Sequence, residues 1–415
     1  MHVVVVGNGP AAIGAIEALR ETDPLSPITL ISRESYPFYS PCPLAEYVEE
    51  SVARRDLFLK AGDFYLRHKI TTLMEHSAVS LDAASRVLRA KGGGCVVDIP
   101  YDRLLIASGA RPVMPPVHGL GDTPGVFPLK TLDDADGIIT RLGMTQSAVV
   151  IGSGFIGLEA AQALSRRGVA VTVVEALDQV LPMMLDAEFA AHVRDRLLRF
   201  GVDVLLSSPV RAVLGGARGV RSVLAGEREI DCQLVITAAG VRPDVAWLGD
   251  SGLAMGRGII VNDRMETNLP DVYAAGDIIE TSNWMGASDV VPTWPNAVAT
   301  GRTAGHNIAG HERHFQGLVA VNVVRIFGQA VSSFGARYGE RTLSVQTPET
   351  FRRLFLDKGR IVGGQFIGNV DGSGIYLELM RKGIDVCAVE DVLLSPRFTP
   401  ARLLPAPPVP RVAVA

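Results

Sequence analysis

The sequence predicts an α/β chain made of two similar parallel-sheet units, the second inserted into the first, followed by a smaller α+β domain. Three observations carry this. A β-branched run, His2 to Val6, passes through Gly7-Asn8-Gly9-Pro10-Ala11-Ala12 into a helical stretch ending at Arg20. The same strand–glycine loop–helix design returns at Ser147 to Gly168. From about Glu312 the pattern changes to short strands with a single helix.

Length and composition set the limits. With 415 residues, 47% hydrophobic and 20% charged, the chain has room for two or three packed domains and is not a disordered polymer. A net charge of −4 gives no basis for binding nucleic acid or an anionic membrane surface. No apolar run reaches membrane-spanning length, and the N-terminus enters a strand without a basic segment and apolar core. A cytoplasmic protein is therefore expected. Cys42, Cys95, Cys232 and Cys387 are far apart in sequence, so no local zinc ribbon, cysteine-ligated cluster or neighbouring dithiol is encoded. No metal site is expected, and an iron–sulfur centre would belong to a partner.

In the opening unit, Gly7 and Gly9 let backbone N–H groups approach a diphosphate at a helix N-terminus, and Ala11 and Ala12 are small enough for close helix–strand packing. Pro27 to Ser32 reads as the second strand. Its end, where an acidic residue usually binds a ribose, holds Ser32, with Glu34 two residues on. Glu34 either binds the ribose or is a solvated loop glutamate. Tyr36 to Pro43 packs three prolines and three aromatics into a stiff connector with Cys42 inside it. Cys42 is either a packing cysteine or a thiol held near the reactive end of a cofactor. Ile70 to Leu88 reads as a meander, with Val79 on a strand. Tyr101 to Ala110 reads as a buried strand ending in the small residues Ala107, Ser108 and Gly109, and Arg111-Pro112 marks a break.

The second unit has a complete G-x-G-x-x-G, Gly152-Ser153-Gly154-Phe155-Ile156-Gly157, followed by a strand that ends in Glu175 about twenty residues on. A carboxylate there accepts both ribose hydroxyls and repels a 2′-phosphate, so NADH is expected over NADPH. Cys232 to Asp244 reads as a strand running into Ala239-Gly240, and Val272 to Ala275 as one ending in Gly276-Asp277. Trp294-Pro295-Asn296-Ala297 opens a helix of small residues ending near Gly310. Strands are expected at Leu318–Ile326, Arg341–Val345, Phe351–Leu356 and Ile361–Ile367, then a helix at Ile375–Arg381 and an extended proline-rich tail at Pro405–Pro410.

The segments VGNGPAA, LLIASGARP, VVIGSGFIGLEAA with VVE, ITAAGVRPD and TNLPDVYAAGD, in this order, resemble the pyridine nucleotide–disulfide oxidoreductase superfamily. The resemblance implies two Rossmann-like domains. FAD would lie in residues 1–113 and 240–311, NAD in the inserted residues 114–239, and residues 312–415 would form a C-terminal interface domain compatible with a homo-oligomer. It places Glu159 where nicotinamide meets flavin and gives Val79 backbone bonds to adenine. It adds Asn296 and Ala297 to the cofactor site. YSPCPL resembles the single-cysteine position of NADH oxidases and coenzyme A disulfide reductases, which makes Cys42 a candidate redox thiol of a stand-alone enzyme. Against that, Pro10 stands where peroxidase relatives carry a histidine, no His-Pro-x-x-x-Glu segment is present, and no lysine lies within ten residues of Cys42. Trp294 to Gly310 is similar to ferredoxin reductases. The whole chain also resembles the NADH-handling flavoprotein subunits of multi-subunit 2-oxoacid oxidoreductases of the phenylglyoxylate type. The function this implies is an enzyme passing electrons between NAD(H) and an iron–sulfur partner subunit through FAD.

Overall fold

The computed structural model describes residues 1–395 and 398–403, so the proline-rich segment Pro405–Pro410 lies outside the described residues. The chain divides into two units, one of Met1–Val180 with Arg194–Val319 and one of Leu181–Val193 with the C-terminal residues from Ala320.

The first unit contains two five-stranded parallel sheets. In one, Val272–Ala274, Arg103–Ile106, Val3–Val6, Ile28–Ile31 and Ile70–Leu73 lie side by side in that order. In the other the order is Val202–Leu205, Ala170–Val174, Ser147–Ile151, Leu234–Thr237 and Val126–Pro128. The first strand of each glycine-loop motif is central, and every residue of Val3–Val6 is buried. This is why the strand reads as an uninterrupted β-branched run. Five helices position the site: α1 (Pro10–Thr22), α2 (Leu44–Glu49), α3 (Leu132–Leu142), α4 (Phe155–Arg166) and α5 (Trp294–Ile308).

Three sequence expectations are corrected. Ile70–Leu73 is no part of a meander; it pairs in parallel with Ile28–Ile31, and the meander is Ser77–Asp82, Val87–Gly92 and Cys95–Pro100. The strand expected over Tyr101 to Ala110 is two strands, Arg103–Ile106 and Ala110–Pro112, broken where Gly109 takes φ +73°. Cys232 to Asp244 likewise splits into Leu234–Thr237 and Val241–Pro243. The two displaced halves pair with each other, antiparallel, with Arg242 opposite Arg111. Both chain crossings between the two sheets thus run through one small ribbon.

Helices α1 and α5 touch backbone to backbone. A Cβ on Gly301 would stand 2.1 Å from the Ala11 carbonyl oxygen, and one on Gly305 2.2 Å from that of Ala15. Glycine costs a helix about 1 kcal/mol relative to alanine, and overpacking costs about 1–3 kcal/mol, so here packing outweighs propensity. Gly301→Ala is expected to destabilise the protein by up to about 2 kcal/mol net, read as a lowered denaturant midpoint at unchanged m.

In the second unit, five antiparallel strands are ordered Val321–Ile326, Gln329–Gly335, Arg360–Ile367, Phe351–Asp357, Arg341–Gln346, with a helix at Ser373–Arg381. Gln329–Gly335 was not expected from the sequence. Its Ser332 and Ser333 are buried, which hides the apolar pattern of a central strand. Phe189 stacks on Phe351 at 3.9 Å, and Arg353 bonds Glu188 at 2.6 Å and also pairs with Asp186.

Candidate functional site

Gly7 sits at φ +111°, with the Ala107 carbonyl oxygen 2.1 Å from where a Cβ would be. Only glycine lets the first strand end this close to its neighbour. Gly9 caps α1 through its backbone, and a Cβ there or at Gly109 meets nothing within 4 Å. The face toward the helix N-terminus is therefore open while the rear is closed. Ala11 and Ala12 are buried, and a Cβ on Gly276 would come 2.8 Å from that of Ala11. The Gly276 N–H donates to Thr300 Oγ1 at 3.0 Å. Two polar groups at the same strand ends lack partners. Ser108 Oγ is buried with no hydrogen bond, and the Asp277 carboxylate, with none of its own, is pushed above the usual carboxylate range by burial, opposed by Lys130. Orphaned polar groups beside an open glycine cradle fit the diphosphate and ribityl chain of FAD.

Other expected residues fall around this cradle. Val79 sits at a bulge between the paired residues Ala78 and Ser80, so its backbone has no ladder partner; its side chain is 39% exposed. The bulge takes Val79 out of the regular ladder. Ser32 is buried, with its N–H on the Leu73 carbonyl at 3.0 Å and its carbonyl accepting from His76 N–H at 2.8 Å. Glu34 accepts from the Tyr39 hydroxyl, and burial raises its carboxyl. It is therefore not a freely solvated loop glutamate. Arg111 and Arg33 both pair with the buried Asp244, at 2.5 and 3.2 Å, and so brace the crossing ribbon. Ala297 is buried on α5. The Asn296 side chain is committed elsewhere: its Nδ2 donates to the carbonyls of Val291 (3.1 Å) and Val319 (3.0 Å). Its backbone is left for other contacts.

The second loop repeats the first. Gly152 sits at φ +100° with the Ala238 carbonyl oxygen 2.5 Å from a Cβ position, Gly154 caps α4 facing open space, and a Cβ on Gly157 would lie 2.1 Å from the Gly152 carbonyl oxygen. Phe155 and Ile156 form the first turn of α4, with Ile156 exposed. Gly240 is open and Ala239 exposed across from them. Glu175 is held firmly: its Oε2 accepts from the Ser153 N–H (2.9 Å) and hydroxyl (2.6 Å), and its Oε1 from the Leu177 N–H (3.0 Å). A negative charge fixed there suits two ribose hydroxyls and opposes a phosphate.

Between the two loops lies the connector that carries Cys42. On one side Asn8 Nδ2 donates to the Tyr36 carbonyl at 3.2 Å, the Tyr65 hydroxyl donates to Asn8 Oδ1 at 2.9 Å, and the Phe38 N–H donates to that hydroxyl at 2.9 Å. On the other, the Tyr36 hydroxyl donates to Asp133 (2.6 Å), that of Tyr47 to Asp136 (2.8 Å), and the Leu132 N–H donates to the Tyr39 hydroxyl (3.0 Å). Cys42 is thereby brought close to Glu159 and Glu46. The residue is exposed, yet enough protein surrounds the thiol that burial is the largest influence and raises it, with Glu159 and Glu46 adding to the rise and Ser40 and Lys130 opposing it. Glu159 is raised to about 8, by burial first and then by Glu46.

The sequence reading missed Asn8, Tyr65, Glu46 and Lys130. Asn8 lies inside the recognised loop and was legible; the other three are ordinary residues until the fold gathers them.

Residues 1–301 match the family model for pyridine nucleotide–disulphide oxidoreductases. The chain belongs to that family. It is an FAD-dependent NADH oxidoreductase with two Rossmann-like dinucleotide domains and uses FAD and NAD(H). Among its relatives are an NADH oxidase from Methanocaldococcus jannaschii, 29% identical with 89% of this chain and 88% of that one covered, and the epsilon subunit of an NADH-dependent phenylglyoxylate dehydrogenase from Aromatoleum evansii, 29% identical with 92% of each covered. A solved structure of an NAD-dependent persulfide reductase from A. fulgidus is 29% identical, with 93% of this chain and 77% of that one covered, at a TM-score of 0.88. Among the described residues, no helix is long and apolar enough to cross a membrane.

Proposed function

We propose that this enzyme passes electrons between NAD(H) and an iron–sulfur protein through FAD, as the cytoplasmic flavoprotein subunit of a multi-subunit 2-oxoacid oxidoreductase of the phenylglyoxylate type. In this reading residues 1–113 and 240–311 hold FAD through the Gly7–Ala12 loop, Ser108, Gly276 and Asp277. Residues 114–239 hold NADH through the Gly152–Gly157 loop and Glu175. Residues 312–415 form an interface domain. When bound, FAD takes a hydride from NADH and releases electrons singly, which is the chemistry an iron–sulfur partner needs. The protein's part is to hold the two cofactors at reacting distance, and the tyrosine and asparagine bonds on both sides of the connector supply that rigidity.

One observation carries the reading. Among the described residues Cys42 is the thiol brought to this junction, and burial with two carboxylates holds it toward its protonated form against the opposing influence of Ser40 and Lys130. A thiol enzyme needs a thiolate, stabilised by a neighbouring cation or base. Pro10, in the first turn of α1, supplies neither. The similarity to the phenylglyoxylate dehydrogenase subunit, over nearly the whole of both chains, supports the same conclusion.

The test is anaerobic reduction with NADH, then mixing with separate acceptors. A ferredoxin-type protein is expected to reoxidise the flavin far faster than coenzyme A disulfide, peroxide or dioxygen do. Isolation of the native protein is expected to bring iron–sulfur subunits with it. Rapid turnover with coenzyme A disulfide alone would overturn the proposal in favour of a stand-alone disulfide reductase.

A further inference from the structure

Glu34 lies just past the end of Ile28–Ile31, the strand that runs beside Val3–Val6 and the Gly7 loop. Its Oε2 accepts from the Tyr39 hydroxyl at 2.5 Å, and its Oε1 has no hydrogen bond among the described residues. The Tyr39 oxygen in turn accepts from the Leu132 N–H at 3.0 Å. Leu132 is the first residue of α3, which follows Val126–Pro128, the outer strand of the second sheet. The N–H of a first helical residue has no partner inside its helix, and the capping box of Thr131 and Asp134 serves other donors. One phenol therefore joins a carboxylate beside the first nucleotide loop to a helix N-terminus beside the second sheet. It has a single proton to give, so the chain runs one way, from N–H to hydroxyl to carboxylate. Tyr39 is held in place for this. It forms a bridge with Phe58, and its ring meets those of Phe58 and Tyr36 edge-on, with centroids 6.4 and 6.3 Å apart. On either side of it the Phe38 N–H is bound by the Tyr65 hydroxyl at 2.9 Å and the Ser40 N–H by the Leu57 carbonyl at 2.8 Å. Burial first, then Glu34, keeps the phenol well above its ordinary range, so it stays a donor.

We propose that Tyr39 is the positioning residue for the ribose of FAD: its hydroxyl occupies one oxygen of Glu34, leaves the other for the sugar hydroxyls, and is itself anchored by the first N–H of α3. The inference rests on FAD occupying the Gly7 loop, and not on which acceptor takes the electrons. A half-buried carboxylate without a donor is free to rotate or to take up a proton, and either change deprives the ribose of its acceptor. Burial raises the Glu34 carboxyl; Tyr39 and Arg33 oppose the rise, and Asp133 and Asp134 on α3 add to it. Arg33 is paired with Asp244, Asp133 with the Tyr36 hydroxyl, and Asp134 with the cap of α3. Tyr39 is the group whose donor touches the Glu34 carboxylate.

Release of FAD from the full-length holoenzyme, followed by flavin fluorescence on dilution across pH, tests this without any acceptor protein. Tyr39→Phe keeps the ring and removes the hydroxyl. It is expected to hold FAD about tenfold more weakly at neutral pH. Its loss of FAD on acidification is expected to begin about one pH unit higher, because the carboxylate has lost a donor that favours its charged form. In Glu34→Gln that acid-side loss is absent, and adding Tyr39→Phe changes the affinity by less than about threefold, since the hydroxyl acts through the carboxylate. Hydrogen exchange at the Leu132 amide is expected to quicken about tenfold or more in Tyr39→Phe, its partner being gone. An unmoved acid midpoint in Tyr39→Phe overturns the proposal, and so does a full tenfold loss when Tyr39→Phe is added to Glu34→Gln, which would make the residue a packing group only. If Tyr39→Phe does not fold, Glu34→Gln decides alone, and wild-type affinity with an unchanged acid-side loss overturns the proposal. Wild-type flavin content in Gly7→Ala would instead contradict the placement of FAD itself, so the two failures are told apart.

Discussion

Gly7→Ala is expected to purify without FAD. The substitution meets two obstacles at once: a backbone at φ +111° that side-chain-bearing residues rarely adopt, and the Ala107 carbonyl oxygen 2.1 Å from the new carbon. Both obstacles are backbone, so neither relaxes by rotating a side chain. Strain of this kind costs about 1–3 kcal/mol per residue and overpacking a similar amount; a combined loss of about 2–6 kcal/mol weakens FAD binding by about 30-fold or more. The flavin-to-protein absorbance ratio after gel filtration measures it. Wild-type flavin content in the variant would remove Gly7 from the diphosphate cradle.

Gly152→Ala is the counterpart in the inserted unit and separates the two sites. Its Cβ would stand 2.5 Å from the Ala238 carbonyl oxygen, at φ +100°. The variant is expected to keep its full complement of FAD while the NADH concentration for half-maximal flavin reduction rises about 100-fold, since about 3 kcal/mol is lost from one site only. Stopped-flow reduction of the bound flavin reads the effect. Loss of flavin together with NADH binding would contradict the separation of the two sites.

Both loops were legible in the sequence for a physical reason. A strand buried on both faces must be a short apolar run, and a backbone approaching another backbone within van der Waals contact must be glycine, so each requirement writes a residue type. The split of Tyr101 to Ala110 was not legible. Ala110–Pro112 finds its partner in Val241–Pro243, more than a hundred residues away, and nothing local announces such a pairing. Gln329–Gly335 was hidden because buried serines replace apolar residues on a central strand. In the site, Glu175 was readable because its spacing from the glycine loop is fixed by one helix and one strand. Glu46 was not: on a six-residue helix it looks like any solvated glutamate, and only the packing of α2 against α4 takes it out of water. Lys130 was out of reach for the same reason, since the neighbourhood of Cys42 in sequence contains no lysine, and the fold supplies one from the segment before α3. What a chain writes locally is backbone geometry; the charge environment of a thiol is written across domains.

The central claim is that electrons leave this enzyme from the flavin and not through a thiol. The most direct measurement is anaerobic turnover of Cys42→Ser, loaded with FAD, from NADH to a ferredoxin-type one-electron acceptor. Serine keeps the size of the side chain and removes its redox chemistry. The account predicts turnover within about twofold of wild type, because a difference below about 0.4 kcal/mol in barrier is what a change at a non-reacting neighbour produces. Loss of turnover by a hundredfold or more, with FAD content and flavin reduction by NADH unchanged, would place Cys42 on the electron path and contradict it.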